Sequence, residues 1–588
     1  MSWSYLIELL ETIGFGPRWR RWICLLLSSA SSAVLLNGRP GPAIRHGRGL
    51  RQGDPISPML FILAIDPLHH LFRLATEEGL LRQIRQRPIR CTVSLYADDA
   101  GIFVSPDVED LKVASKILEI FADATGLRTN LAKSVILPVR CTEEQIAAAL
   151  THFPATRGSF PCTYLGLPLH HSRLKAVHFQ PLLDKLGARL AGWLGRHFTR
   201  AGRVLLCRVV LSSMAIYHLA ALRLPKGILR RIEKIKRCFL WMKTGAAPGA
   251  RPQALVNWST VCRPKELGGL GIFDVEKFGR ALRLRWPWYA WTEPDRPWHG
   301  MALPCDKKDM ALFRASTEIV LGDGATCSFW HDRWLPGGAL RLQFPDLFRI
   351  ATRKCRTVQK ELFNRNWIRS LAHITSAEQM AQFVLLWNIL QEIALQPTPD
   401  TITWRWTASG VYSAASAYRC QFVGSCAPFS SDKLWKAKAE PKCRYFAWLV
   451  LHGKILTAEN LAIRGWPNDP ICKLCRICPE TVQHLLLDCS FASQVRERVF
   501  AEIGVWGTLP PPLNRSINDW WDATIAAIPR AGRRGASGAI IYSLWGTWKE
   551  RNRRVFRNVA LSPTEVAALV REEVAQRAYA HTQDPGDV

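Results

Sequence analysis

The chain has 588 residues, too many for a single hydrophobic core, so several domains are expected. Its 78 Lys and Arg against 48 Asp and Glu leave a formal charge of +30, which points to a polyanionic partner, nucleic acid before an anionic membrane surface. Most of the 17 cysteines are scattered singly, which argues against a disulfide framework and for a reducing compartment. The start "MSWSYLIELLE" has no basic leader and already carries Glu8 and Glu11, so no signal peptide is expected. The apolar stretch Ile23 to Leu36 is interrupted by serines and shorter than the roughly 20 residues of a spanning helix, so no membrane partner is expected.

In chain order, Ser4 is expected to cap a helix through "YLIELLETI" that stops at Gly14. After "PRWRRW", the pair Asn37-Gly38 inside "SSAVLLNGRPGPAIRHG" marks a tight turn between apolar runs. Beyond "RGLRQGDPISP" a second helix opens with Pro58 in its first turn, and Leu60, Leu63, Ala64, Leu68 and Leu71 follow at helical spacing. The stretch "CTVSLYADDAGIFVS", residues 91 to 105, reads as a hairpin with Asp98 and Asp99 at its tip. A third helix gathers Leu111, Ala114, Ile117, Leu118 and Phe121 on one face and ends at Gly126. Hairpins alternating with helices predict an α+β domain over residues 1–170.

Strand alternation would send Asp98 and Asp99 to opposite sides unless a tight turn lies between them. Adjacent carboxylates in a cleft are costly unless cations neutralise them, and Mg²⁺ prefers such oxygens, whereas a solvated turn accounts for an isolated pair. The context decides. "GRGLRQGDPISPMLFILAIDPL" at 47–68, "YADD" at 96–99, "GLRTNLAKS" at 126–134 and "YLGLPL" at 164–169 resemble, in kind and order, the reverse transcriptases of non-LTR (LINE-like) retrotransposons.

The resemblance implies an RNA-directed DNA polymerase with a right-hand fold, of which residues 1–170 are a partial palm. It implies Asp98 as the catalytic metal ligand, Asp99 as an auxiliary acid and Tyr96 near the primer end. Arg51, Gln52 and Gly53 would approach the templating pair and incoming nucleotide, and Lys133 the triphosphate. Two ions, Mg²⁺ or Mn²⁺, are normally held by three carboxylates. In the resembling family the third stands in a segment of the form F-D-x-V-x-W, of which only Ser2-Trp3 are found here. The expectation is an N-terminally truncated, defective polymerase lacking that aspartate and the fingers; the alternative is a non-catalytic, zinc-containing nucleic-acid-binding remnant. Asp54, explained by helix capping, and Asp66 are poor replacements.

Residues 171–300 are expected to form a helical thumb-like region, with a helix pair over 198–241 broken at Pro225. Its "RRIEKIKR" run suits either phosphate contacts or a solvated face. The Trp-, Gly- and Pro-rich stretches at 286–298 and 322–336 are expected to build small local cores more readily than base-stacking platforms, and residues 301–430 resemble the family's connector.

In "ICKLCRICPETVQHLLLDCSF", Cys472, Cys475, His484 and Cys489 have the spacing C-x2-C-x8-H-x4-C, three thiolates and an imidazole able to close tetrahedrally around a structural Zn²⁺. Cys478 offers a fifth thiol and leaves the ligand set open. The flanks resemble the zinc-binding domain that follows reverse transcriptase in plant-type LINE-like elements, placed here at 431–520, with a basic helical tail at 521–588. Lys549, Arg551, Arg553, Arg554 and Arg557 are expected to help grip the RNA template or the DNA primer and target. A protein that copies into chromosomes is expected in the nucleus.

Overall fold

The computed structural model describes residues 1–84, 92–190, 198–242, 252–424, 431–502 and 516–582. Cys91, at the start of the acidic hairpin stretch, and the end of the basic tail lie outside the described residues. The chain divides into two compact units, Met1–Leu174 with Asp295–His299, and Lys175–Pro294 with Gly300–Val588.

The first unit is α+β. Its helix α1 (Trp3–Thr12) is capped by Ser2 rather than Ser4: the Ser2 hydroxyl accepts from the Tyr5 N–H at 3.5 Å, a donor that Ser4, inside the first turn, cannot serve. "PRWRRW" opens a helix that its charge disguised, α2 (Pro17–Ser28), with Pro17 at the first position and Ile23 and Leu27 buried. Asn37 and Gly38 do form a tight turn, both at positive φ, between the paired residues Leu36 and Arg39. Helix α3 (Ser57–Glu77) buries two patches of one stripe. Leu60 and Ala64 meet α1 and α2 through Leu6, Leu10, Ile23 and Leu27. Leu68, Phe72 and Ala75 meet α4 (Val108–Thr125) through Ala114, Ile117 and Phe121, and β1 (Val93–Tyr96) through Val93. Asp107 caps α4 and Gly126, at φ 71°, ends it, as the sequence predicts.

In the second unit, α5 (Arg200–Ala221) and α6 (Lys226–Trp241) are joined across Pro225, in agreement with the expected break. Ile228, Ile232, Phe239 and Leu240 face the core, while Lys226, Arg230, Arg231 and Lys234 are exposed. Lys236 belongs to the buried side, where its ammonium donates to the Phe273 carbonyl at 2.6 Å and pairs with Glu233 at 3.4 Å. By length and composition α3 and α5 are apolar enough to cross a membrane, although each places one stripe in a protein core.

The Trp-rich stretches do form a core. Phe329, Trp330, Trp334 and Trp367 pack beside the antiparallel pair β2 (Thr317–Val320) and β3 (Thr401–Trp404). Asp400 organises the adjoining turn by accepting from the N–H groups of Gly322, Gly324, Thr326 and Cys327 at 2.9–3.1 Å. Toward the C-terminus, α7 (Pro441–Leu451), α8 (Ser490–Glu502), α9 (Arg533–Arg557) and α10 (Pro563–Thr582) pack together. Two glycines let α9 approach its neighbours: a Cβ at Gly538 would lie 2.3 Å from the Lys438 carbonyl, and one at Gly546 2.4 Å from Val570.

Candidate functional site

The acidic doublet sits on a two-residue turn. Val93 pairs with Ile102, Leu95 with Ala100 and Tyr96 with Asp99, leaving Ala97, at φ 51°, and Asp98 in the turn itself. The turn thus resolves the alternation problem: Asp99 shares the outer face with its cross-strand partner Tyr96, and Asp98 projects from the tip. Val93 and Leu95 anchor the opposite face in the core beneath. Tyr96 is 65% exposed, and both aspartates are exposed.

A second hairpin, Cys162–Tyr164 with Leu167–Leu169, braces the first. The Tyr164 hydroxyl donates to Ser94 Oγ at 3.2 Å and its ring covers Gly101, where a Cβ would lie 3.4 Å from the hydroxyl. The "YADD" and "YLGLPL" motifs therefore form one layer, a relation their separation of some 70 residues conceals.

The other residues expected at this site make no hydrogen bond or ion pair to the acidic hairpin among the described residues. Arg51, Gln52 and Gly53 are exposed in the turn ahead of α3, with Gly53 at φ 90°. Lys133 ends a short 3₁₀ turn capped by Asn130 and is exposed. Among the described residues, no ion pair engages Asp98 or Asp99, and no third acidic, cysteine or histidine side chain joins them in a metal-holding group. Asp54 does not cap α3, whose N-terminus has no side-chain cap, because the residue lies three positions before the helix. Asp66 pairs with His70 at 3.2 Å on the surface.

The second constellation closes fully. Cys472, Cys475, His484 and Cys489 bring their ligand atoms within 4.8 Å of one another, and Cys475 Sγ lies 3.2 Å from His484 Nε2. Cys478 stands outside the set; its carbonyl accepts from the Cys472 N–H at 2.9 Å and shapes the loop instead. Arg476, at φ 61°, turns the chain back after Cys475. The backbone N–H groups of Leu474 and Cys475 point at the Cys472 sulfur, and those of Phe491 and Ala492 at Cys489. A hydrogen bond from the Cys472 thiol pulls Cys489 below its ordinary value, and that bond, with burial, pushes Cys472 up. Sulfurs that otherwise share protons at this distance fit a dication that takes their place.

Four of the five cations of the basic run on α9 are paired with carboxylates. Arg551 is 6% exposed and forks onto Glu480, Nη2 to Oε1 at 2.6 Å. Arg554 and Arg553 both engage buried Glu550, and Lys549 pairs with Glu573. Of the five cations, Arg557 is the exposed one. The Glu550 pairs follow the local helical spacing, whereas the partner of Arg551 lies 71 residues away and that of Lys549 lies 24 away, where no local pattern reveals them.

Residues 1–169 match the family model described as reverse transcriptase (RNA-dependent DNA polymerase), and residues 412–495 match the one described as zinc-binding in reverse transcriptase. An Arabidopsis thaliana protein provisionally named as a ribonuclease H protein is 26% identical over 66% of this chain. An uncharacterised 149 kDa protein of the Xenopus laevis transposon TX1 is 28% identical over 51%. The Pol polyprotein of the Drosophila melanogaster type-2 retrotransposable element R2DM is 26% identical over 40%. These matches span 66%, 22% and 22% of the respective relatives. With its motif order, its braced acidic hairpin and its Cys/His cluster, the chain is similar over residues 1–169 to reverse transcriptases, among its relatives those of non-LTR retrotransposons, and over residues 412–495 to the zinc-binding segment of reverse transcriptases.

Proposed function

We propose that the chain acts in RNA-directed DNA synthesis by a non-LTR retrotransposon, binding an RNA template and a DNA primer through a partial right-hand palm. The observation that carries this is the hairpin itself: two exposed carboxylates at its tip, free of ion pairs among the described residues and backed by a buried core. Asp98 and Asp99 would hold Mg²⁺ or Mn²⁺, which activates a primer 3′-hydroxyl and neutralises triphosphate oxygens. Tyr96, on the face of Asp99, would support the primer end; Arg51, Gln52 and Gly53 would meet the incoming nucleotide, and Lys133 its phosphates. The exposed stripe Lys226, Arg230, Arg231 and Lys234 suits a nucleic-acid backbone, and none of the four has an ion-pair partner among the described residues. Cys472, Cys475, His484 and Cys489 would hold a structural Zn²⁺, all four positions being filled by protein.

Because only two carboxylates meet at the hairpin among the described residues, strand extension by residues 1–588 alone is expected to be weak, and a non-catalytic role in gripping nucleic acid is the second reading. Primer extension on an RNA template with Mg²⁺ or Mn²⁺, beside the Asp98→Asn, Asp99→Asn variant, tests both. Synthesis above the variant establishes the polymerase, whereas equal background with intact template-primer binding leaves the binding role.

A further inference from the structure

The zinc-binding match ends at residue 495, yet the side chains that grip the Cys/His loop come from α9, beginning at Arg533. Arg554 Nη1 donates to the carbonyls of Lys473 at 3.3 Å and Leu474 at 3.1 Å. Those two residues lie between Cys472 and Cys475, so both carbonyls belong to the backbone that links the first two ligands. The guanidinium therefore clamps the stretch of backbone between those ligands from its carbonyl side.

The same guanidinium lies 4.6 Å from the centre of the Phe491 ring, two residues beyond the ligand Cys489. One side chain thus touches the backbone turns that carry the first and last ligands. It is itself fixed: Nε donates to Glu550 Oε1 at 2.8 Å and Nη2 to the Leu561 carbonyl at 3.0 Å. Glu550, fully buried, also accepts from the Leu561 N–H at 2.9 Å.

We propose that Arg554, held by Glu550, is the positioning residue of the metal centre, so that the zinc-holding unit extends through α9 to the α9–α10 junction. It fixes the backbone turns that carry Cys472, Cys475 and Cys489 and does not serve as a phosphate contact. Removing partners of metal ligands typically costs 10- to 100-fold in affinity. The inference rests on the assignment of Cys472, Cys475, His484 and Cys489 as a zinc site.

The test uses the full chain: zinc affinity by competition with a chromophoric chelator, and the thiolate-to-metal charge-transfer band after Co²⁺ replacement. Arg554→Ala should weaken zinc about 10- to 100-fold and shift the band. Arg554→Lys, which can reach a carbonyl with one donor, should recover part of both effects, and Glu550→Gln should show a smaller loss. Arg557→Ala, at the exposed end of the helix, should leave both at native values. A folded Arg554→Ala chain with native affinity and a native Co²⁺ band overturns the proposal. If that variant does not fold, native affinity and band in Glu550→Gln overturn it equally. A native chain that takes up neither metal overturns the zinc assignment, and this inference with it.

Discussion

Replacing Arg551 with Met should destabilise the unit around the Cys/His cluster, the proposed zinc site, without touching nucleic-acid affinity. Glu480 is 2% exposed and Arg551 6%, and three short contacts join them, Nη2–Oε1 at 2.6 Å and Nε to both oxygens at 3.1 Å. Removing one partner of such a pair strands a buried charge, at a typical cost of about 3–5 kcal/mol. Glu480 retains the Ala458 N–H at 2.9 Å, so the lower end, about 3 kcal/mol, is expected, roughly a hundredfold in the unfolding equilibrium. Adding Glu480→Gln should restore most of the loss, because a neutral amide tolerates the site that a bare carboxylate does not. Zinc release during urea unfolding of the full chain reports this unit alone, which a global signal from so large a chain does not. RNA affinity measured against salt should keep its native slope in the double variant. A single variant as stable as the native chain, or a folded variant whose salt slope drops by about one, would refute the buried-pair account and return Arg551 to the nucleic-acid surface.

Replacing Lys226, Arg230 and Lys234 together by Gln should lower the slope of log affinity against log salt by about 2–3, since each lost phosphate contact removes roughly 0.7–0.9; an unchanged slope would show that this stripe is only solvated. Gly538→Ala places a Cβ 2.3 Å from the Lys438 carbonyl, so α9 must move or strain, and a loss of about 1–3 kcal/mol is expected in the zinc-release transition; wild-type behaviour would mean the contact is loose. Burial, with help from Arg314, Arg341 and Lys354, lowers His331 from 6.5 to about 4. The unfolded chain therefore takes up that proton first, and the stability from a neutral His331 is complete above about pH 6.5 and lost as the pH falls toward 4. Melting curves across that window should be flatter for His331→Gln than for the native chain, and parallel profiles would dismiss the effect.

Local pattern alone determined much of this protein. The 3.6-residue spacing in α3 and α4, the Asn37-Gly38 turn and the glycine stop at Gly126 all appear where the sequence places them, because each depends on a few neighbouring residues. The Cys/His spacing likewise identifies four side chains that converge, since a two-residue gap and a short return are enough to fold four ligands together. Other features depend on partners far along the chain. The turn at Ala97-Asp98 brings Asp99 beside Tyr96, but Tyr164 braces the hairpin from another motif. The exclusion of Cys478 is decided by its backbone role inside the loop, which composition does not encode.

The sharpest divergence concerns charge. On the sequence, "KERNRR" in α9 and "RRIEKIKR" in α6 look alike, two basic runs on helices. In the fold one stripe of α6 stays in water, whereas Arg551 and Arg554 turn inward to Glu480, Glu550 and the carbonyls of the metal loop. A charge pattern records how many cations a helix carries. Whether they meet solvent, phosphate or a buried carboxylate is settled only when a distant segment packs against them, because burying a cation is tolerable only where a partner waits.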